Sequence, residues 1–263
     1  MKLAIYESKE QMAEVAARKA SEVVRSALAK KGHATFVAAT GTAQHQFLSV
    51  LTRDDSIDWS KTTMFHLDEY VGISDQHPAS FRRYLRERLL NLVHPGEVFL
   101  IEGDAANPDV EARRLSRIIE GYTIDVAFVG VGENSHIAFN DPPADFGTST
   151  PFLVVSLDEV CRRQQVGEAW FNSIDEVPKR AITMSVGQIM KSQTIVCVVP
   201  DSRKAVAVKN CFGDARISPM YPASILKKHP SAFVFLDRDS SSLIRPEFKG
   251  SSIEFEISAF DAR

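Results

Sequence analysis

The chain has 263 residues, with 31 lysines and arginines against 34 aspartates and glutamates, a formal net charge of -3, and 44% hydrophobic and 25% charged residues. That composition excludes a disordered or collagen-like chain, and the slightly acidic balance argues against a nucleic-acid partner, which would select a basic excess. No apolar run approaches the roughly 18 residues of a membrane helix, and Met1-Lys2-Leu3-Ala4-Ile5-Tyr6-Glu7 turns acidic too early for a secretory signal. Cys161, Cys197 and Cys211 form no Cys-x-x-Cys pair and fit neither a disulfide framework nor a zinc knuckle. The expectation is a cytoplasmic protein with no membrane and no nucleic-acid partner.

In chain order, Gln11 to Lys31 carries Ala, Glu, Lys and Val at helical spacing and stops at Gly32. Ala34 to Ala39 reads as a strand, followed by the turn Thr40-Gly41-Thr42 and a helix through Phe47, Leu48 and Leu51. Further strands are expected over Thr63–Leu67, Glu97–Ile101, Ile124–Gly130, Phe152–Val155, Ala181–Met184, Thr194–Val199 and Ala232–Leu236. Helices are expected over Phe81–Val93, Val110–Glu120, Leu157–Ala169 and Ser202–Phe212.

Strands alternating with helices predict an α/β fold: a Rossmann-like, three-layer, open and mostly parallel sheet with helices on both faces. No Pro/Gly/Ser-rich linker interrupts residues 1–263, so one domain is expected, with 239–263 an exposed tail or an edge strand near Ile253 to Ile257. The arginine-rich run Phe81-Arg82-Arg83-Tyr84-Leu85-Arg86 fits either a homo-oligomer interface or a solvated helix face.

Ligands of such sheets sit beyond the carboxyl ends of the strands, and three post-strand segments stand out. Thr40-Gly41-Thr42 offers a close backbone approach and two hydroxyl donors at a strand-to-helix turn, which suits an anion; an ordinary threonine cap is the plainer alternative. Asp68-Glu69 crowds two carboxylates at a strand end, where Asp68 could serve as a general base, or as a helix cap or surface ion-pair partner. Gly130 to Pro142 runs from a buried strand through two glycines into Glu133, Asn134, His136 and Asp141, dense in acid–base groups, although a lone histidine is often structural. His66, Asp68, His77, His136 and Asp141 show no His-x-x-x-His pair or Cys/His cluster, so no metal is expected.

Taken together, these segments resemble the glucosamine-6-phosphate deaminase/isomerase family, over about Ala34 to Leu236. The resemblance is carried by Leu67-Asp68-Glu69-Tyr70-Val71-Gly72 with His77-Pro78-x-Ser80 and by Gly130-x-Gly132-x-x-x-His136-Ile137-Ala138-Phe139-Asn140-Asp141-Pro142. Asp175-Glu176-Val177-Pro178-Lys179-x-Ala181-Ile182-Thr183-Met184 and Ser202-Arg203-Lys204-Ala205 extend it. The resemblance implies conversion of glucosamine 6-phosphate and water to fructose 6-phosphate and ammonium, with no metal or cofactor and a small sugar phosphate as partner. It implies that Asp68 moves a proton between C2 and C1, that His136 assists ring opening with its carboxylate neighbours, and that Thr40, Gly41, Thr42 and Lys204 hold the phosphate.

The chain departs from that pattern in places. Asn134 stands where the family usually has an aspartate, and Asp141 where it has a glutamate. Ala43 lacks the family's hydroxyl, and Ala169, preceded by Glu168, stands where the family has a phosphate-gripping arginine. Arg162 and Arg163 are candidate replacements, or simply a solvated helix face. The pattern is that of a divergent member. Two alternatives accompany the deaminase expectation: a lactonase of the related 6-phosphogluconolactonase type, which needs His136 but not Asp68, and a sugar-phosphate-binding protein without turnover.

Overall fold

Apolar residues three and four apart build the first long helix. Met12, Ala13, Ala16, Ala17, Ala20, Val24 and Ala27 form its buried stripe, Ser8 caps its start by accepting from the Gln11 amide, and Gly32 ends it at φ 75°. The small side chains on this stripe let the helix lie close on the sheet below it. The computed structural model describes residues 1–244 and 254–257.

The elements run β1 (Lys2–Tyr6), α1 (Lys9–Lys31), β2 (Ala34–Ala38), α2 (His45–Leu51), β3 (Thr62–His66), β4 (Asp68–Tyr70) and α3 (Phe81–Leu85). A π-helical turn (Arg86–Leu90) leads to α4 (Asn91–Val93), β5 (Glu97–Phe99), α5 (Pro108–Ile119), β6 (Val126–Val129), β7 (Phe152–Ser156) and α6 (Glu159–Gly167). The chain continues through β8 (Arg180–Met184), α7 (Val186–Ile189), β9 (Thr194–Val199), α8 (Ala205–Phe212), β10 (Ala232–Asp237) and β11 (Glu254–Ile257).

The main sheet is parallel throughout, in the order β11-β1-β10-β9-β6-β2-β3-β5. Its central strands are buried on both faces: every residue of β2, β6 and β9 is buried, as their near-continuous apolar runs require. One face packs against α1 and α2 through Phe36, Phe47, Phe128 and Val198. The other packs against α5, α8 and a second sheet through Val37, Val129, Cys197, Leu115 and Phe212.

That second sheet corrects the sequence reading. Phe152–Val155 and Ala181–Met184 are strands, but they pair antiparallel with each other and with Asp68–Tyr70 in the order β4-β8-β7, outside the parallel sheet. The half-exposed pattern of β7 fits a sheet with one solvated face. Strand β1, which pairs with β10, was also not anticipated.

The stretch after Asp237 is not simply an exposed tail. Ser240, Ser241 and Ile244 are buried, and the Ser240 amide and hydroxyl bond to Asp237. Glu254–Ile257 pairs as an edge strand on β1. The remainder of the expected tail, 245–253 and 258–263, lies outside the described residues.

The strand order reverses between β2 and β6. From β2 the chain builds outward to β3 and β5, and from β6 outward to β9 and β10. The loops leaving β2, β3, β6 and β9 therefore converge on one crevice at the carboxyl edge.

Candidate active site

Each of those four loops contributes to one cavity. Thr40, Gly41, Thr42, Ala43 and Gln44 come from the turn after β2, Asp68 from the start of β4 just past β3, Gly130, Gly132 and His136 from the loop after β6, and Lys204 from the turn after β9. Helix α6 closes the cavity with Gln164, Gln165 and Glu168. Gly41 sits at φ 95°, a conformation that suits glycine, and its carbonyl accepts from the Tyr84 hydroxyl at 3.0 Å.

Asp68 is separated from β3 only by Leu67, and its backbone is pinned opposite Thr183 of β8. It is 6% exposed. Burial, and then the neighbouring Glu69 charge, raise its carboxyl to about 8. The adjacent Glu69 does a different job. It accepts from the amides of Tyr70, Phe81 and Arg82 and from the Ser80 hydroxyl, tying α3 to the strand end. Of the two carboxylates, Asp68 alone lines the cavity. Arg82, in the arginine-rich run, is buried within the chain against Asp104, 2.8 Å away, and the Ile73 carbonyl.

The loop after β6 folds back on itself to present His136. The Gly132 amide donates to the His136 carbonyl at 2.9 Å, and a Cβ on Gly132 would lie 2.2 Å from Cε1 and Nε2 of the imidazole. Only a glycine lets the ring lie there. His136 Nδ1 stands 3.1 Å from Asp141 Oδ1. Burial would raise the Asp141 carboxyl, but the hydrogen bonds and charge of His136, Asn134 and the Asp158 amide outweigh it and hold it below its ordinary value. An ionised Asp141 can only accept, so Nδ1 carries the proton and Nε2 is left to exchange one with a ligand.

Asn134 does not touch the ring. Its Nδ2 bridges Asp141 Oδ1 at 2.9 Å and Asp158 Oδ2 at 2.8 Å, while its Oδ1 accepts from the His136 amide at 3.1 Å. It stands one step behind the imidazole. His136, Asp141 and Cys161 bring ligand-type atoms within 4.8 Å of one another, but Asp141 is already engaged by His136, Asn134 and the Asp158 amide, and burial pushes the Cys161 thiol well above its ordinary value.

Neither arginine proposed for the anion grip reaches the cavity. The Arg162 guanidinium donates to the carbonyls of Ile174 and Val177 and ties α6 to the following loop. Arg163 points to solvent and pairs with Glu159 one turn earlier. The reason is helical geometry: Cys161, Gln164, Gln165 and Glu168 share the inward face at three- and four-residue spacing, which turns 162 and 163 elsewhere. Ala169 is exposed, at φ 61°, and the side chain that enters is Glu168. Sequence reasoning missed Gln44, Gln164, Gln165 and Glu168, although that spacing on α6 could have revealed the last three.

Residues 7–235 match the family model of glucosamine-6-phosphate isomerases/6-phosphogluconolactonase. The chain is 35% identical over 197 residues to a glucosamine-6-phosphate deaminase of Exiguobacterium sibiricum, covering 75% of this chain and 76% of that one. It is 32% identical over 251 residues to one of Clostridium beijerinckii, covering 93% and 100%. Among solved structures, a monomeric glucosamine-6-phosphate deaminase superposes with a TM-score of 0.85 at 30% identity, over 92% of this chain and 100% of that one. A 6-phosphogluconolactonase from Shewanella baltica superposes with a TM-score of 0.75 at 17% identity, over 90% and 97%, a likeness of fold.

Proposed function

The chain belongs to the glucosamine-6-phosphate isomerase/6-phosphogluconolactonase family, and from that premise we propose that it is a deaminating aldose–ketose isomerase of the glucosamine-6-phosphate deaminase type. The observation that carries this reading is Asp68: a buried carboxyl raised to about 8, lining the same cavity as His136. A lactonase moves no carbon-bound proton, whereas shifting a proton between two neighbouring sugar carbons requires a base held against them. The deaminase relatives, at 31% to 37% identity, support the same reaction.

His136 Nε2 takes the proton of the anomeric hydroxyl and returns it to the ring oxygen, opening the sugar to its C1 aldehyde. Ionised Asp68 removes the C2 proton while the aldehyde oxygen takes one from the substrate's own C2 ammonium group, leaving a neutral enolamine with its hydroxyl at C1. Asp68 then returns the proton to C1, which gives a C2 iminium. Water adds at C2 and ammonia leaves, so that one sugar and one water become one ketose and one ammonium. Asp141 keeps the His136 imidazole in the tautomer this requires, and Asn134 and the Asp158 amide keep Asp141 in place.

The test is stoichiometry. With glucosamine 6-phosphate, ammonium and ketose should appear one for one. Hydrolysis of a sugar-phosphate lactone without any ammonium release from the amino sugar would replace this reading with the lactonase. We also propose a cytoplasmic location, which the three free, buried cysteines favour.

A further inference from the structure

The part of the cavity bounded by Thr42, Gln164, Glu168 and Lys204 already contains its own anion. The Glu168 side chain is 5% exposed. Its Oε2 accepts from the Thr42 hydroxyl at 3.0 Å and the Trp170 indole N–H at 3.2 Å. Its Oε1 accepts from Gln164 Nε2 at 2.8 Å and lies 3.8 Å from Lys204 Nζ. Burial works against the charge, but Lys204 and these donors prevail and hold the carboxyl below its ordinary value, so it is ionised at neutral pH.

Lys204 is the only lysine or arginine among the described residues that line the cavity. A phosphate bound here would have to turn to it, and would find it paired. The Thr42 hydroxyl and the Gln164 amide, which a phosphate could also use, are given to Glu168 as well. Elsewhere in the same cavity a buried acceptor is left for a sugar hydroxyl. Gln44 lines the cavity and is 1% exposed; its Nε2 donates to the Val129 carbonyl at 3.2 Å, and its Oε1 is buried with no partner. That orphan oxygen needs a donor. A sugar hydroxyl, which the amino sugar carries with or without its phosphate, offers one.

Resting on the deaminase reading above, we infer that Glu168 is a specificity-determining residue that makes this subsite self-compensated: a terminal phosphate contributes little to binding, and the amino sugar ending in a neutral hydroxymethyl group is turned over with similar efficiency. For the phosphorylated substrate to gain from Lys204, it must first displace a carboxylate that holds three hydrogen bonds and an ion pair.

The experiment compares kcat/KM for glucosamine 6-phosphate and for glucosamine, by ammonium release, in the wild-type protein and in Glu168→Gln, an isosteric change. The wild-type ratio should lie within about tenfold of one, and Glu168→Gln should raise it at least about tenfold, because the like charge is gone and Lys204 is freed. A wild-type preference for the 6-phosphate above about a thousandfold that Glu168→Gln leaves unchanged would overturn the inference. If neither sugar releases ammonium, it is the deaminase reading that fails, and calorimetric titration with inorganic phosphate then decides the role of Glu168 by itself. Binding at least about tenfold tighter in Glu168→Gln upholds that role, and equal affinity overturns it.

Discussion

Replacing Asn134 with aspartate would install the residue that the family resemblance leads one to expect, yet the structure predicts that it damages this protein. Asn134 Nδ2 donates to two carboxylates at once, Asp141 at 2.9 Å and Asp158 at 2.8 Å. A hydrogen bond to a charged group contributes about 1.5–3 kcal/mol, so losing both removes about 3–6 kcal/mol before any repulsion is counted. The new carboxylate would also stand within hydrogen-bond distance of both old ones, and one of the three would have to keep a proton in the folded state. Against a typical total of 5–15 kcal/mol, such a loss is large.

The loss should depend on pH with a definite sign. A carboxyl whose folded value is raised stabilises below its unfolded value, near 4, and that contribution disappears as the pH rises. Asp141 in the wild type is held low, so the wild type instead loses stability on acidification. The gap between the two proteins should therefore be widest at pH 7–8 and narrow toward pH 4. Urea unfolding at both ends of that range measures it. An Asn134→Asp protein within about 0.5 kcal/mol of the wild type at pH 7.5 would refute the reasoning.

Other outcomes follow from single contacts. Gly132→Ala places a methyl 2.2 Å from the His136 ring, so kcat should fall at least about a hundredfold while the fold persists, as steady-state kinetics and circular dichroism can show. Arg162→Ala should cost about 1–3 kcal/mol in thermal unfolding without changing KM, since Arg162 holds two loop carbonyls. Arg163→Ala should change neither by a measurable amount, because its pair with Glu159 is exposed. Asp68, raised to about 8, keeps a proton in the folded state that the unfolded chain sheds near 4, so wild-type stability declines across that window. Asp68→Asn should remove the decline and melt higher than the wild type at pH 8.

Much of the fold could be read because burial writes itself into the strands. The runs Val126-Ala127-Phe128-Val129 and Ile195-Val196-Cys197-Val198-Val199 are apolar on both faces and lie in the middle of the parallel sheet. The antiparallel sheet was hidden because β4 follows β3 after a single residue and nothing local marks the change of partner; pairing with β8 is a tertiary choice. Asp68 and His136, which line one cavity, and Asp141, which holds the imidazole, stood out in the sequence because they lie in polar, glycine-bearing segments that follow strands. Helix α6 was expected, but its inward stripe, Cys161, Gln164, Gln165 and Glu168, went unread because it is mostly polar and does not announce itself as a buried face. The arginines drew attention by charge, but the packing of α6 turned them away, and the acidic side chain turned in.

The most direct test of the account is the pH dependence of ammonium release from glucosamine 6-phosphate by the wild type and by Asp68→Asn, with substrate binding followed by calorimetry. Because kcat/KM reports the free enzyme, it should climb as the pH passes through about 8, where Asp68 gives up its proton. Asp68→Asn should bind the sugar yet release ammonium at least about a thousandfold more slowly. Wild-type rates in Asp68→Asn, or a wild-type profile flat across that range, would contradict the assignment of Asp68 as the base.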